Sequence, residues 1–359
     1  MQMELQATRA GEEISQPLLN YVADQERWER GELWLVGVVG IAHLLFLLPN
    51  VCDGISMIHN WFPYLSLPVK WKFIWRMANF VLMSVASLAM AAGAMLALQQ
   101  TARVGQAKRL LLVLALLAAA TGVVGFFDDI LLIIVPFRGI AFDKDLFYTI
   151  LCYKVRNVTL WCYPLIMLAV LLGRSKSSLS RRLVPRAVWW LTAIAFMLFG
   201  ATRLVQWFLY FNYFENMWMH IAQKVFAVIT GQDWWNTIRG IGLISAEAAS
   251  IGVYVIVLWT VLFGWRGGGR GRKGCRALMI CAALWIVFAV GFYGTSFVEN
   301  IHSFVANPWS KPRGGIWDIV GGLCGISSHL REMTLMLAFA MAGRAVMHFY
   351  ASPIDAIRK

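Results

Sequence analysis

Four times in this sequence an acid, a small or polar residue and an apolar residue follow a long hydrophobic run: Asp53-Gly54-Ile55, Asp128-Asp129-Ile130, Glu215-Asn216-Met217 and Glu299-Asn300-Ile301. A basic residue then opens the next hydrophobic run, at Lys72 and Arg76, at Lys154 and Arg156, at Arg239, and at Arg331. Internal repetition of this kind is read first, because it decides the architecture. The pattern predicts hairpins of two apolar helices, with acids Asp53, Asp129, Glu215 and Glu299 at equivalent places.

The composition indicates a membrane protein. Hydrophobic residues make up 59% of the 359 residues, charged residues make up 14%, and the mean hydropathy is +0.63. A water-soluble chain of this length needs more polar side chains to cover its surface. Several windows of about 18 or more apolar residues are long enough to cross a bilayer as helices. The sequence therefore predicts an all-α integral membrane protein that crosses the membrane several times.

Three short loops between the apolar windows are basic and contain no acid. Their basic residues are Arg103, Lys108 and Arg109; Arg174, Lys176, Arg181, Arg182 and Arg186; and Arg266, Arg270, Arg272, Lys273 and Arg276. The positive-inside rule places such loops in the cytosol, and with them both chain termini. Contact with anionic headgroups explains the net charge of +13 better than binding of a nucleic acid does.

Eight spanning helices are expected after a polar, acidic cytoplasmic segment, 1–32, that lacks the features of a signal peptide. Their predicted positions are near 33–50, 73–98, 109–127, 156–173, 187–213, 239–264, 276–297 and 331–350. They form a single transmembrane domain, 33–359, of four related hairpins near 33–98, 109–173, 187–264 and 276–350. The sequence leaves open whether residues 316–330 begin the last helix or form a re-entrant segment before it.

The outer connections are long and rich in aromatic residues, which are typical of a membrane interface. We expect short helices at the outer leaflet there, and no folded soluble domain. Cys52, Cys152 and Cys324 fall on this side, so the sequence allows one disulfide among them.

Arg203 and Glu247 lie deep inside apolar runs of consecutive predicted helices. With a rise of about 1.5 Å per residue, their depths are roughly 15 and 12 Å. Charges inside a membrane are costly unless they are paired or wetted. We therefore predict an ion pair between them, which either locks one hairpin or belongs to a polar pathway.

His43 and Asn79 show a similar match of depth in the first two helices, which predicts a hydrogen-bonded polar pair. Asn79 also belongs to a second repeated pattern. Arg76-x-x-Asn79 recurs as Lys154-x-x-Asn157 and, less fully, as Arg239-x-x-Gly242. This recurrence supports the internal repeat and indicates no particular activity.

No pattern of a catalytic or cofactor site is present. The chain lacks a P-loop, G-x-S-x-G and H-E-x-x-H, and its six histidines show no metal-ligand spacing. We therefore expect no enzyme activity, no metal and no cofactor. The expected partners are the lipid bilayer and either further copies of the chain or other membrane proteins.

The segment Gly314-Gly315-Ile316-Trp317-Asp318-Ile319-Val320-Gly321-Gly322-Leu323-Cys324-Gly325-Ile326-Ser327-Ser328 resembles the closing segment of the peroxin-eleven family. Both have a Gly-rich apolar run that ends in Gly-Ile-Ser-Ser and follows an acid-polar-apolar step such as Glu299-Asn300-Ile301. The resemblance covers residues 290–340 directly. It implies a non-enzymatic protein of the peroxisomal or glycosomal membrane that shapes the membrane or forms a pore. The alternative is a transporter or channel with a polar pathway near Arg203 and Glu247.

Overall fold

Long helices account for nearly all of the chain that the computed structural model describes, namely residues 28–60, 67–100, 103–134, 144–173, 180–209, 226, 230, 234–264, 272–306 and 316–351. No strand occurs in these ranges. The helices are α1 (Arg30–Asn60), α2 (Leu67–Gln99), α3 (Val104–Ile134), α4 (Lys144–Leu172), α5 (Ser180–Leu209), α6 (Trp234–Gly264), α7 (Arg272–Phe288), α8 (Thr295–Ala306) and α9 (Ile316–Ala351). The all-α architecture predicted from composition is confirmed.

A π-helical segment, Ala289–Gly294, joins α7 and α8 into one continuous rod. Here the backbone comes very close to α6, because a β-carbon on Gly291 would overlap the carbonyl oxygen of Gly242. The reverse also holds, since a β-carbon on Gly242 would meet Thr295 and lie 3.0 Å from the carbonyl oxygen of Gly291. Two glycines thus allow the helical backbones to touch where the π turn widens the rod.

The last helix of the chain lies at the centre of the bundle. α9 packs against α1, α4, α7, α8 and the π segment, whereas α2, α3 and α6 pack at the periphery. Helices α1 to α4 follow one another as antiparallel neighbours, and α4 leads on to α5. A helix that is surrounded by protein can carry charged side chains that lipid would not tolerate. This explains how α9 holds both Arg331 and Glu332 within an apolar bundle.

Aromatic side chains fill the core between α4, α5, α7 and α9. Phe199 and Trp285 make an edge-to-face contact with ring centroids 4.8 Å apart, and Phe196 lies 5.2 Å from Phe339. All four rings are fully buried. Such contacts favour tight packing beyond the area that they bury. The core therefore closes this part of the bundle with interlocked rings.

Six described segments are long and apolar enough to cross a membrane: Arg30–Val51, Ile74–Gln99, Val104–Gly125, Leu151–Leu172, Thr237–Leu262 and Lys273–Val305. Their outward faces carry exposed Val, Leu and Ile side chains, for example Val85, Leu117 and Val255. An apolar surface of this kind suits lipid and would be unfavourable in water. The protein is therefore an integral, multi-pass membrane protein. The predicted count of eight spans requires α5 and α9 as well and stays a prediction.

Several helices extend further than their apolar runs predict. α1 continues through Pro49 to Asn60, and α3 continues to Ile134. Helical hydrogen bonds do not require an apolar sequence, so the end of a hydrophobic run does not mark the end of a helix. Residues 316–330 belong to the single helix α9. The described parts of the outer connections 51–72, 128–155 and 298–330 therefore belong to the long helices themselves.

A buried ion pair fastens the end of the bundle at which α2 and α3 are connected. Glu32 of α1 is 2% exposed, and its Oε2 lies 2.7 Å from Nζ of Lys108 in α3. The same oxygen accepts a hydrogen bond from the backbone amide of Glu29, and the ammonium of Lys108 stands over the ring of Trp28. We call this end of the bundle the loop end and the opposite end the cavity end.

Candidate functional site

A cavity of about 220 Å³ opens in the cavity-end half of the bundle. It lies between α1, α2, α3, α4, the π segment and α9. Its polar lining consists of Asn50, Arg76, Asn79, Lys154, Arg156, Asn157, Tyr293, Arg331 and Glu332. Its apolar lining consists of Phe46, Phe80, Met83, Gly122, Gly125, Val158, Leu160, Trp161 and Leu335.

The described lining is strongly electropositive. It contains the side chains of Arg76, Lys154, Arg156 and Arg331 but a single carboxylate, that of Glu332. The formal excess is three positive charges. The cations come from three different helices, so no local sequence run produces the cluster. Charges in a membrane protein are costly unless they are compensated, and they usually mark a functional site.

Arg156 is the most deeply buried of the four cations, with 8% of its surface exposed. Its guanidinium stands over the ring of Tyr153, with Cζ 4.8 Å from the ring centroid. Its Nε is buried and has no hydrogen-bond partner among the described residues. A buried donor without a partner costs free energy, so an acceptor that enters the cavity would relieve that cost.

Arg331 and Glu332 are adjacent on α9, and Nη2 of the arginine lies 4.0 Å from Oε1 of the glutamate. Arg331 also donates a hydrogen bond of 3.3 Å to Oγ of Ser328, and its Cζ lies 5.4 Å from the ring centroid of Phe46. Glu332 interacts electrostatically with Arg156 too. One carboxylate therefore serves two guanidinium groups.

Asn79 supplies a second unpartnered donor. It is 9% exposed, and its Nδ2 has no hydrogen-bond partner among the described residues. Asn50, in contrast, donates from Nδ2 to the carbonyl oxygen of Phe80 at 3.1 Å and to Oγ of Ser84. Of these two amides, the one on α2 is thus available to a ligand.

The structure does not pair His43 with Asn79, because the register of α1 against α2 places a different residue beside the histidine. Nδ1 of His43 lies 3.4 Å from Oγ of Ser87, and the imidazole packs edge-on against Trp161. Asn79 is about 12 Å further along α2 than Ser87, toward the cavity end. The prediction matched His43 with Asn79 by their distances from the ends of the two apolar runs. The register of α1 against α2 is instead fixed by the hydrogen bonds of Asn50 to Phe80 and Ser84.

Trp161 forms a rigid apolar wall. Its Nε1 donates a hydrogen bond of 2.9 Å to the carbonyl oxygen of Ala118, and its ring packs against those of His43 and Phe46. Gly122 lies directly behind the indole, where a β-carbon would overlap Cδ1 of the ring. The absence of a side chain at Gly122 thus allows Trp161 to lie flat along α3.

The π segment contributes Tyr293, which is 2% exposed and lines the cavity. Short π segments are often found at functional sites, because the extra residue in the turn redirects a side chain. Tyr293 also interacts electrostatically with Arg156. The π segment therefore contacts α6 through Gly291 and lines the charged cavity through Tyr293.

The repeated pattern Arg/Lys-x-x-Asn was the signal of this site in the sequence. All four residues of its two full copies, Arg76, Asn79, Lys154 and Asn157, line the cavity. In the partial copy, Arg239 instead makes a salt bridge of 2.5 Å with Glu299 of α8, while Gly242 touches Gly291. In the sequence this pattern supports the internal repeat, but its role in the lining of a cavity is visible only in the structure.

The other predicted acids are placed less completely. Asp53 and Asp129 are part of the helices α1 and α3, but their side chains lie outside the described residues, and Glu215 lies outside them altogether. Their equivalence to Glu299 stays a prediction. Among the cysteines, Cys152 and Cys324 are not joined by a disulfide, and the side chain of Cys52 is outside the described set.

The proposed ion pair of Arg203 and Glu247 also stays a prediction. Glu247 is half-buried on α6 and accepts a hydrogen bond of 3.4 Å from Oγ of Ser250, whereas the side chain of Arg203 lies outside the described residues. Gly200 packs against Tyr254, which fixes the register of α5 and α6. In that register the two charged positions are offset along the helix axes by about 6 Å, within reach of an arginine side chain.

Compared with known proteins, the chain matches no family model, no curated protein and no solved structure. The described residues also contain no group of three or more His, Cys, Asp or Glu side chains that could hold a metal ion.

Proposed function

We propose that this membrane protein is a transporter of small anions and that the cavity is its binding site. The observation that carries the proposal is the convergence of Arg76, Lys154, Arg156 and Arg331 on one cavity whose described lining holds one acid. An anionic ligand is attracted by these cations and accepts hydrogen bonds from two buried donors that have no partner among the described residues, Nε of Arg156 and Nδ2 of Asn79.

A purely structural role for these charges is less consistent with the geometry. Structural ion pairs are matched one to one, as between Glu32 and Lys108 at the loop end. Arg156 and Arg331 instead share the carboxylate of Glu332, and charged groups of one sign that gather inside a membrane protein usually mark a functional site.

Transport is favoured over simple binding by the contrast between the two halves of the bundle. The charged cavity occupies the cavity-end half, and the aromatic core around Phe199, Trp285 and Phe339 fills the space between α5, α7 and α9. A site that is open in one half of the bundle and closed by packed side chains in the other is compatible with access from alternate sides, in which one group of helices moves against another around a fixed site. The two glycines at the π segment provide a contact at which α6 could slide along α7.

Uptake into proteoliposomes tests the proposal. The purified protein is reconstituted, and the entry of radiolabelled glycerol phosphate and succinate is followed. Arg331→Gln is expected to reduce uptake strongly, because it removes a cavity cation. Arg344→Gln is the matched control, since Arg344 lies on the same helix, is exposed and is remote from the cavity.

Thermal unfolding and size-exclusion profiles show whether the variants fold, and Arg76→Gln provides a second cavity variant. Equal uptake by the wild type, both cavity variants and empty liposomes would refute anion transport. Membrane shaping at the peroxisome or glycosome, which the peroxin-eleven resemblance implies, stays a separate prediction. Localisation of a tagged chain against an organelle marker tests it.

A further inference from the structure

We infer that the ligand of the cavity is an oxyanion that carries a short hydrocarbon chain, such as an alkyl phosphate or an aliphatic carboxylate. This inference rests on the proposed anion binding and adds the chemical class of the ligand. Arg156 and Asn79 bind the oxyanion group. The hydrocarbon chain packs against the apolar wall, by which we mean Phe46, Trp161 and Leu335.

Two buried donors indicate the group that binds. The Nε of Arg156 and the Nδ2 of Asn79 have no hydrogen-bond partner among the described residues, and both side chains line the cavity. Both residues are at least nine-tenths buried and come from different helices, α4 and α2. A carboxylate or phosphate offers separate oxygens to two such donors, and guanidinium groups bind it through paired hydrogen bonds. A halide offers a single atom, so it satisfies both donors only where they converge on one point.

The apolar wall indicates that the ligand also carries a hydrocarbon part. Its three side chains line the same cavity as the two donors. The indole of Trp161 is held in place by its hydrogen bond to the carbonyl oxygen of Ala118 and by its contact with Phe46, with ring centroids 4.6 Å apart. A bound hydrocarbon chain removes this apolar surface from water, which favours binding. An inorganic ion leaves the same surface hydrated.

The charged and apolar parts of the lining adjoin, which limits the length of the chain. Cζ of Arg331 lies 5.4 Å from the ring centroid of Phe46, and Leu335 follows Arg331 by about one turn of α9. A headgroup among the cations therefore has apolar side chains within a few bonds of it. A cavity of about 220 Å³ has room for a chain of a few carbons and excludes a polymer.

A homologous series of ligands tests the inference by isothermal titration calorimetry on the full-length protein in nanodiscs of neutral lipid. Methyl, ethyl and propyl phosphate have the same headgroup and differ in chain length. We expect the affinity to rise about fourfold for each added methylene, as for a CH₂ group that becomes buried. Butyrate should displace bound propyl phosphate, whereas chloride at the same concentration and ionic strength should not.

A pair of leucine variants assigns the chain to the apolar wall. Leu335→Ala shortens a side chain of the wall and should reduce the gain per methylene. Leu337→Ala is the matched control, because Leu337 is half-buried on the same helix and lies outside the described lining. An equal reduction in both variants would contradict the assignment of the chain to the wall.

A third variant assigns the headgroup. Asn79→Leu removes the buried donor and keeps a side chain of similar size. It should weaken the binding of all three phosphates by one common factor and leave the gain per methylene unchanged. Because it also removes a buried donor without a partner, it should not lower the unfolding temperature. Unchanged affinity together with a lower unfolding temperature would show that Asn79 is structural and would overturn its assignment to the headgroup.

The lipid composition of the nanodiscs identifies the source of the ligand. Phosphatidic acid carries a phosphate monoester on an acylated glycerol, and phosphatidylglycerol is the anionic control with a phosphodiester. Loss of propyl phosphate binding only with phosphatidic acid supports a lipid as the ligand. An equal effect of both lipids, or no effect of either, supports a soluble ligand of the same chemical class.

The inference and the proposed function fail differently. If methyl phosphate binds as tightly as propyl phosphate, the ligand has no hydrocarbon part and the inference is overturned. Displacement of propyl phosphate by chloride as effective as that by butyrate overturns it as well, while anion binding stands in both cases. If the phosphates, butyrate and chloride all fail to bind, the proposed function itself is overturned.

Discussion

The substitution Gly122→Ala provides a sharp test of how the cavity wall is built. A β-carbon at this position would overlap Cδ1 of Trp161, lie 2.8 Å from its Nε1 and lie 3.2 Å from Sγ of Cys162. The indole cannot easily move away, because it is hydrogen-bonded to Ala118 and packed against His43 and Phe46. The variant therefore forces the ring toward the cavity or forces α3 away from α4.

The expected magnitude follows from two opposing terms. Overpacking in a well-packed interior costs about 1–3 kcal/mol. Replacing glycine by alanine within a helix stabilises the folded state by about 0.5–1 kcal/mol. We therefore expect a net loss of up to about 2.5 kcal/mol in the free energy of unfolding. The displaced ring should also weaken anion binding.

Two alanine variants serve as controls. A β-carbon on Gly37 would meet no atom within 4 Å, so Gly37→Ala reports only the gain in helix stability. Gly125 also lines the cavity, but a β-carbon there meets only the thioether sulfur of Met83 at 3.2 Å, which can shift. Unfolding in mixed micelles with increasing denaturing detergent compares all three. If Gly122→Ala proves as stable as Gly37→Ala, then Trp161 does not occupy the position described above.

Three further predictions concern charge and topology. Glu332→Gln removes the single described acid of the cavity and should tighten the binding of glycerol phosphate, as measured by calorimetry, because a negative charge near the anion is lost; weaker binding would instead mean that Glu332 positions Arg331 for the ligand. Arg203→Ala or Glu247→Ala should each lower the folded yield, since breaking a buried pair costs about 3–5 kcal/mol, and exchange of the two residues should restore it; additive damage without rescue would show that they do not meet. Cysteines introduced into the three basic loops should react with an impermeant thiol reagent in sealed isolated organelles, whose outer face is cytosolic, or only after permeabilisation of cells if the protein lies in the plasma membrane. Protection in sealed organelles, or labelling of intact cells, would reverse the predicted orientation. The positions for these cysteines are Gly105, Ser178 and Gly268.

The class of the protein could be predicted from composition because burial in lipid imposes a simple requirement. A helix that crosses a bilayer needs about 20 mostly apolar residues, so long apolar runs predict both helices and membrane. The same rule places helix ends poorly. The rule predicted that the first helix ends near residue 50. In the structure α1 continues to Asn60, because helical hydrogen bonds persist beyond the apolar run.

The site could be predicted only in part, because depth along a helix does not determine which face meets which neighbour. Equal depth in the first two helices predicted a pair of His43 and Asn79, but the register of α1 against α2 places Ser87 beside the histidine. The recurrence of Arg76-x-x-Asn79 at Lys154-x-x-Asn157 was visible in the sequence. This recurrence does not show that both copies line one cavity. Each copy is equally compatible with a basic side chain that extends to the membrane surface.

The sequence by itself determined the helical class, the membrane environment and the bases that open successive hydrophobic runs, because these depend on hydrophobicity and spacing along one chain. Tertiary structure decided that α9 lies at the centre, and that it brings Arg331 and Glu332 to the cations of α2 and α4. Helix order in a bundle depends on side-chain packing between segments far apart in the chain, such as Gly343 against Phe196 and Tyr163. A charged cluster drawn from several helices has no pattern in any one of them, and it exists only once the helices are packed.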